Sequence, residues 1–187
     1  MQVFWTEISG LDEACARHPG RSRAHGSAFG VSLLAWAVQE VWGIALPEIA
    51  AQQNGKPYFP AYPELHFSVS HTKIAVLAAL SAHPVGADVE QRRAVRPATE
   101  RLVTEANCGD LDLFELWTLR ESYYKLTGRG SLRTIPFSRE NGVLLPPEAG
   151  VLCRVYDDVP GCAAAVCSLS EQPPDRLQFV DAARICT

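Results

Sequence analysis

Asp88 and Glu90 stand two apart in the run Pro84-Val85-Gly86-Ala87-Asp88-Val89-Glu90. In an extended strand, positions two apart project to one face, so the two carboxylates share a face while Ala87 and Val89 turn into the core. Like charges side by side repel, a cost that a cation between them relieves. All-oxygen donors of this kind suit a hard ion such as Mg²⁺. Gly86 leaves room for a ligand or another backbone to approach closely. An exposed, acidic strand edge has the same alternation, and the pattern alone leaves both readings open.

Two further segments carry candidate chemistry. In Trp117-Thr118-Leu119-Arg120-Glu121-Ser122-Tyr123-Tyr124-Lys125, Glu121 and Lys125 are four apart and share a helical face, with Trp117 one turn earlier. They form either an ordinary i,i+4 ion pair or a third carboxylate for the Asp88–Glu90 ion, with a cation facing phosphate oxygens. In Phe67-Ser68-Val69-Ser70-His71-Thr72, Ser70 and His71 end a strand where a turn begins, a suitable place for donors to a phosphate. A Ser–His nucleophile pair fits poorly, because neighbours in a strand point to opposite faces, and there is no GxSxG elbow. An ordinary polar turn is the remaining reading.

The elements that must position these groups follow from periodicity. Apolar residues at Phe29, Leu33, Ala37 and Val41, widened by Leu34 and Val38, predict a helix over residues 24–42, capped by Ser27 and ended by Gly43. A short helical stretch is expected after Pro47, then a turn at Asn54-Gly55-Lys56-Pro57. Strands are expected at 2–8, 66–70, 74–80 and 85–90, the last three joined by connections short enough for antiparallel hairpins. A helix over 98–106 and a second strong one over 111–127 follow, the latter with Leu113, Leu116, Trp117 and Tyr124 on one side and Gly128 and Gly130 at its end. Strands at 142–145, 151–155, 163–168 and 177–180 close the chain. Strands clustered between helices, rather than alternating with them, predict an α+β fold with antiparallel sheets. The two halves look alike in layout but carry no sequence repeat.

Composition bounds the function. The chain has 187 residues, 47% apolar and 20% charged, with a net charge of −4. That suits one domain or two small halves sharing a core, and argues against a broad nucleic-acid-binding surface. The apolar runs 28–38 and 74–82 fall short of the roughly 18 residues that span a bilayer. Acidic residues near the N-terminus do not suit a signal peptide, so a cytoplasmic protein is expected. Six cysteines (Cys15, Cys108, Cys153, Cys162, Cys167 and Cys186) show no CxxC pair and read as buried, reduced thiols.

Taken in order, Gly55-Lys56-Pro57, Phe67-x-x-Ser70-His71, Val85-Gly86-x-Asp88-x-Glu90 and Trp117-x-x-Arg120-Glu121-x-x-x-Lys125 closely resemble the signature of the surfactin-type (Sfp-type) 4′-phosphopantetheinyl transferases. Ala24-His25-Gly26-Ser27 resembles the start of that family's first long helix, and residues 161–167 its penultimate strand. The resemblance implies the family's α+β fold: two pseudo-symmetric halves, here residues 1–90 and 91–187, each a long helix on a small antiparallel sheet. It implies transfer of the phosphopantetheine arm of coenzyme A to a serine of an acyl, polyketide or peptidyl carrier protein, releasing adenosine 3′,5′-bisphosphate. Asp88, Glu90 and Glu121 would hold Mg²⁺ (or Mn²⁺) on the pyrophosphate, and Lys125 would contact the same phosphates. Glu121 is the usual candidate base, directly or through water. Lys56, Ser70 and His71 would hold the nucleotide end, with Arg21 and Arg23 as further candidates for the 3′-phosphate. A monomer without nucleic-acid or membrane partners is implied. Arg120 replaces the family's usual Lys, and the stretch 91–115 is shorter than in longer relatives, which bears on carrier choice. Arg92, Arg93 and Arg96 are candidates for a local basic patch toward an acidic carrier.

Overall fold

The computed structural model describes residues 1–8, 28–104 and 108–185, apart from the side chains of Thr99 and Leu102. Arg21, Arg23, the segment 24–27 with the expected cap Ser27, Cys15, Cys186 and the end of the helix expected over 98–106 lie outside the described residues.

The chain opens with β1 (Gln2–Glu7), α1 (Ala28–Trp42), β2 (Ala50–Ala51), β3 (Pro57–Tyr58), β4 (His66–His71), β5 (Ala75–Ser81) and β6 (Val85–Gln91). It continues through α2 (Pro97–Thr104), α3 (Leu113–Thr127), β7 (Ser138–Glu140), β8 (Val143–Leu145), β9 (Leu152–Tyr156), β10 (Cys162–Ser168), β11 (Gln178–Phe179) and α4 (Ala182–Ile185). A four-stranded sheet runs β11-β1-β5-β4 and a three-stranded sheet runs β6-β10-β9; β2-β3 and β7-β8 form small ribbons. The fold is α+β; among the described residues its named strands pair antiparallel except for the parallel β1–β11 pair.

Period-two alternation sorts the strands into layers. Phe4, Val76, Ala78 and Leu80 face Leu33, Leu34, Ala37 and Val38 of α1, together with Phe59 and Phe67. Their neighbours Val3, Trp5, Ala75, Leu77 and Ala79 face the other way, onto Val85, Ala87, Val89, Ala164 and Val166 of the second sheet. The outer face of that sheet, through Ala165 and Cys167, packs on Leu116, Leu119 and Leu126 of α3. The order is therefore α1, four-stranded sheet, three-stranded sheet, α3. With Val85, Ala87 and Val89 turned inward, the pleat aims Gly86, Asp88 and Glu90 toward α3.

Several elements depart from expectation. The stretch after Pro47 is not helical. Few residues separate that proline from the turn at 54–56, too few to repay helix nucleation, and Ala50–Ala51 pair instead with Pro57–Tyr58. Gly55, at φ 83°, makes the reversal, and Gln52 N–H donates to the Lys56 carbonyl at 2.9 Å. The short connection 82–84 does not close a hairpin: β6 leaves the first sheet and pairs with β10 over seven residues, from Val85↔Ser168 to Gln91↔Cys162. On α3, Tyr124 is 37% exposed while Tyr123 is buried beside Leu116, Leu119 and Leu126. Cys153 and Cys167, expected as free thiols, stand opposite each other in the β9–β10 register, with Cα atoms 4.3 Å apart, and are joined as a disulfide. Cys108 and Cys162 are free and buried, as expected.

Candidate active site

The placement of α3 begins at its caps. Asp112 accepts from the N–H groups of Phe114 (2.8 Å) and Glu115 (3.0 Å), while Glu115 accepts the Asp112 N–H at 2.9 Å. This capping box, legible as D-x-x-E in the sequence, fixes the helix start. Gly128 ends the helix at φ 68°, its N–H donating to the Tyr124 carbonyl at 2.7 Å. Between the caps, α3 lies directly on β6. A methyl group at Gly86 would sit 2.0 Å from the Ser122 carbonyl oxygen and 2.6 Å from the Leu126 nitrogen. Gly86 thus admits the backbone of α3, and Glu121 and Lys125, neighbours of those two contact residues, arrive beside Asp88 and Glu90.

Asp88 is the centre of the cluster, 4% exposed. Its Oδ1 accepts from the Lys125 ammonium at 2.7 Å and from the Ser70 hydroxyl at 2.6 Å. Lys125 Nζ also donates to the Ala87 carbonyl at 3.2 Å. Asp88 Oδ2 is buried and has no hydrogen-bond partner. Glu90, half-buried, pairs with Arg93 at 3.3 Å. Glu121 is near enough to feel both other carboxylates: burial first, then the charges of Asp88 and Glu90, push its carboxyl above the ordinary range, with Lys125 opposing. Asp88 and Lys125 are in contact where β6 packs on α3, with Glu90 and Glu121 near enough for their charges to act on one another. Among the described residues, no three His, Cys, Asp or Glu side chains are already gathered tightly enough to enclose a metal ion.

Lys56 extends from the β2–β3 turn to the start of β6 and the end of α3. Its ammonium donates to the carbonyls of Val85 at 3.3 Å and Leu126 at 3.2 Å. Burial pulls its pKa down to about 8. Beside it lies a cavity of about 230 Å³, lined by Lys56, Pro57, Phe67, Ser68, Tyr124 and Lys125 among others. The sequence reading did not single out Tyr124 as a cavity wall; only the helix rotation reveals it. His71 is exposed at the end of β4, away from the Asp88 carboxylate that Ser70 meets.

The arginines divide by environment. Arg120 is fully buried, donating from Nε to the Ile135 carbonyl at 2.9 Å and from Nη1 to the Val103 carbonyl at 2.8 Å. It ties α3 to the segments before and after it and stands apart from the carboxylates. Arg92 pairs with Asp112 and, at 3.4 Å, with Asp157. With Arg93 on Glu90, two of the three residues proposed as a basic patch already neutralise carboxylates of the chain itself.

No protein-family model matches the chain. Curated relatives do. A 4′-phosphopantetheinyl transferase of Bacillus subtilis is 29% identical over 134 residues, covering 63% of this chain; the chain spans 58% of that relative's length. The 4′-phosphopantetheinyl transferase ffp of Bacillus subtilis is 29% identical over 189 residues, 90% of this chain and 84% of the relative. The 4′-phosphopantetheinyl transferase Sfp of Bacillus subtilis strain 168 is 27% identical over the same shares. The chain, whose ordered motifs bring Lys56, Ser70, Asp88 and Lys125 together around β6 and α3, is thus similar over most of its length to curated Sfp-type 4′-phosphopantetheinyl transferases.

Proposed function

We propose that this chain transfers the 4′-phosphopantetheine arm of coenzyme A onto a serine hydroxyl of an apo carrier protein (acyl, polyketide or peptidyl) and releases adenosine 3′,5′-bisphosphate. The observation that supports this most is the contact between Asp88 and Lys125 where β6 packs on α3, with Glu90 and Glu121 close by. Three carboxylates are donors of the kind that Mg²⁺ or Mn²⁺ takes, and the buried Asp88 Oδ2 has a lone pair to offer, though the three would have to draw closer to share one ion. Bound there, the ion would offset charge on the pyrophosphate.

The reaction asks the protein mainly for position and charge. The serine oxygen bonds to the β-phosphorus as that phosphorus parts from the oxygen bridging it to the α-phosphate. The hydroxyl proton passes to Glu121, directly or through one water. Burial and the charges of Asp88 and Glu90 raise the Glu121 carboxyl above its ordinary range in the metal-free protein. A bound Mg²⁺ would offset this, so the part left to Glu121 is to accept the serine's hydrogen bond and relay its proton through water. Lys125, held by the Asp88 carboxylate and the Ala87 carbonyl, turns its positive charge toward the departing phosphate. Lys56, still largely protonated at neutral pH, and His71 face the nucleotide end, with Arg21 and Arg23 as further contacts for the 3′-phosphate. We read the chain as two pseudo-symmetric halves, residues 1–90 and 91–187, acting as a monomer in the cytoplasm. Among the described residues no helix is long and apolar enough to cross a membrane.

The alternative is a relative that binds coenzyme A or a carrier without transfer. The test incubates the protein with coenzyme A, Mg²⁺ and apo carrier protein, then weighs the carrier. A gain of one phosphopantetheine, lost with Glu121→Gln, supports transfer. An unchanged carrier alongside bound coenzyme A supports the binder, and carrier-independent phosphate release supports a hydrolase.

A further inference from the structure

Cys153 and Cys167 stand opposite each other in β9 and β10 and are joined as a disulfide. The two sulfurs differ in their surroundings. Cys167 lies on the central strand, between Cys153 on one side and Gly86 of β6 on the other, and is fully buried. Cys153 is partly exposed, on a strand that pairs on one side only among the described residues.

The helix α3 rests on the buried sulfur. Register partners share a face of the sheet, so Cys167 and Gly86 together form the floor beneath Ser122, the residue that follows Glu121. Cys167 Sγ lies 3.2 Å from the Ser122 hydroxyl and 4.0 Å from the Leu119 carbonyl. Cys153 and Val155 of β9 pack against the same α3 cluster. A disulfide sulfur has no hydrogen to donate, and the Ser122 hydroxyl gives its one hydrogen to the Leu119 carbonyl at 2.9 Å. A thiol at Cys167 does have a hydrogen, and both acceptors beside it, Ser122 Oγ and the Leu119 carbonyl, belong to α3. Two unbonded sulfurs also repel at bonding distance and must part. Cys167 is enclosed on every side, so the movement falls on Cys153 and its edge strand, away from α3.

We propose that Cys153–Cys167 is a thiol–disulfide exchange site that controls how firmly α3 is held. Closed, it fixes β9 beneath the helix; opened by a dithiol, it frees β9 and slows transfer. The effect on rate rests on the transfer reading given above. A thiolate of the dithiol attacks Cys153 Sγ, the accessible sulfur. The S–S bond breaks, and its electron pair leaves on Cys167 Sγ, which takes up a proton. The reductant's second thiolate then attacks its own sulfur in the mixed disulfide and departs as a cyclic disulfide, while Cys153 Sγ takes up a proton. The protein gains two electrons and two protons, and the dithiol loses the same. A small disulfide oxidant runs the exchange backwards.

The test compares the protein before and after reduction by dithiothreitol, with the reductant removed. Alkylation by iodoacetamide after unfolding should label Cys153 and Cys167 in the reduced form only. Thiol content is checked again after each assay, because coenzyme A is itself a thiol. Hydrogen exchange at the α3 amides should be about tenfold faster after reduction, a fraction of what a native disulfide contributes. Transfer, read as carrier mass gain, should fall about tenfold as the helix loses its fixed seat. Cys153→Ser, which cannot bond to Cys167, should match the reduced protein and ignore dithiothreitol. Should that variant fail to fold, the reduced parent gives the same reading.

Unchanged α3 exchange in the reduced protein overturns the proposal, as do equal transfer rates in the two forms. A pair that dithiothreitol leaves closed overturns it, and so does a Cys153→Ser protein that still responds to the reductant. Absence of transfer in both forms refutes the transfer reading instead, and the α3 amides then decide the exchange site alone.

Discussion

Replacing Gly86 by alanine tests how the site is assembled. The added methyl group would meet two backbone atoms of α3, the Ser122 oxygen at 2.0 Å and the Leu126 nitrogen at 2.6 Å. Neither can swing aside as a side chain would, and carbon contacts relax only near 3.5 Å, so α3 must withdraw from β6 by more than about 1 Å. Glu121 and Lys125 are carried with it, and the 2.7 Å bond from Lys125 to Asp88 would stretch past hydrogen-bonding distance. Overpacking of this kind costs about 1–3 kcal/mol, which in a chain of this length lowers Tm by several degrees. A misplacement of about 1 Å in a reacting constellation costs about 100-fold in rate. Carrier mass gain followed over time gives the rate, and thermal unfolding by circular dichroism gives the stability. A Gly86→Ala protein with full turnover and an unshifted Tm would refute the close packing of α3 on β6, and with it the route by which the carboxylates meet.

Arg120→Ala should lower stability in urea by about 3 kcal/mol or more, since it leaves the Val103 and Ile135 carbonyls unpaired in the core. Arg120→Lys should keep transfer activity, because this side chain does not reach the carboxylates; normal stability with lost activity in Arg120→Ala would move Arg120 into the site. For Lys56, burial holds the folded-state pKa at about 8 against an ordinary 10.5. The folded protein therefore releases this proton before the unfolded chain does, and the stability of the parent relative to Lys56→Met should rise between pH 8 and pH 10.5. The gap is worth at most about 3 kcal/mol, and solvent access reduces it to about 1 kcal/mol. Urea titrations of the two proteins across that range check this; a flat or falling difference contradicts the buried placement of the ammonium.

Some of this protein is decided locally and is legible in its sequence. The alternation that turns Val85, Ala87 and Val89 inward and Gly86, Asp88 and Glu90 outward depends only on the pleat of a strand. The Glu121–Lys125 spacing depends only on the helical repeat. The D-x-x-E box at Asp112 was equally local, though it was not among the expected caps. What the tertiary structure alone decided is which surfaces meet. β6 takes β10 as its partner, more than 70 residues away, instead of the adjacent β5, and nothing in its own pattern selects one over the other. That choice brings Cys153 and Cys167 together with α3, and buries Arg120, a residue whose type suggests a site, in the core. It also lays β6 across β4, so that Ser70 reaches Asp88 from another sheet. Periodicity sets where a side chain points; the partner it finds there is set by the sum of apolar contacts over the whole chain, which no short window of residues contains.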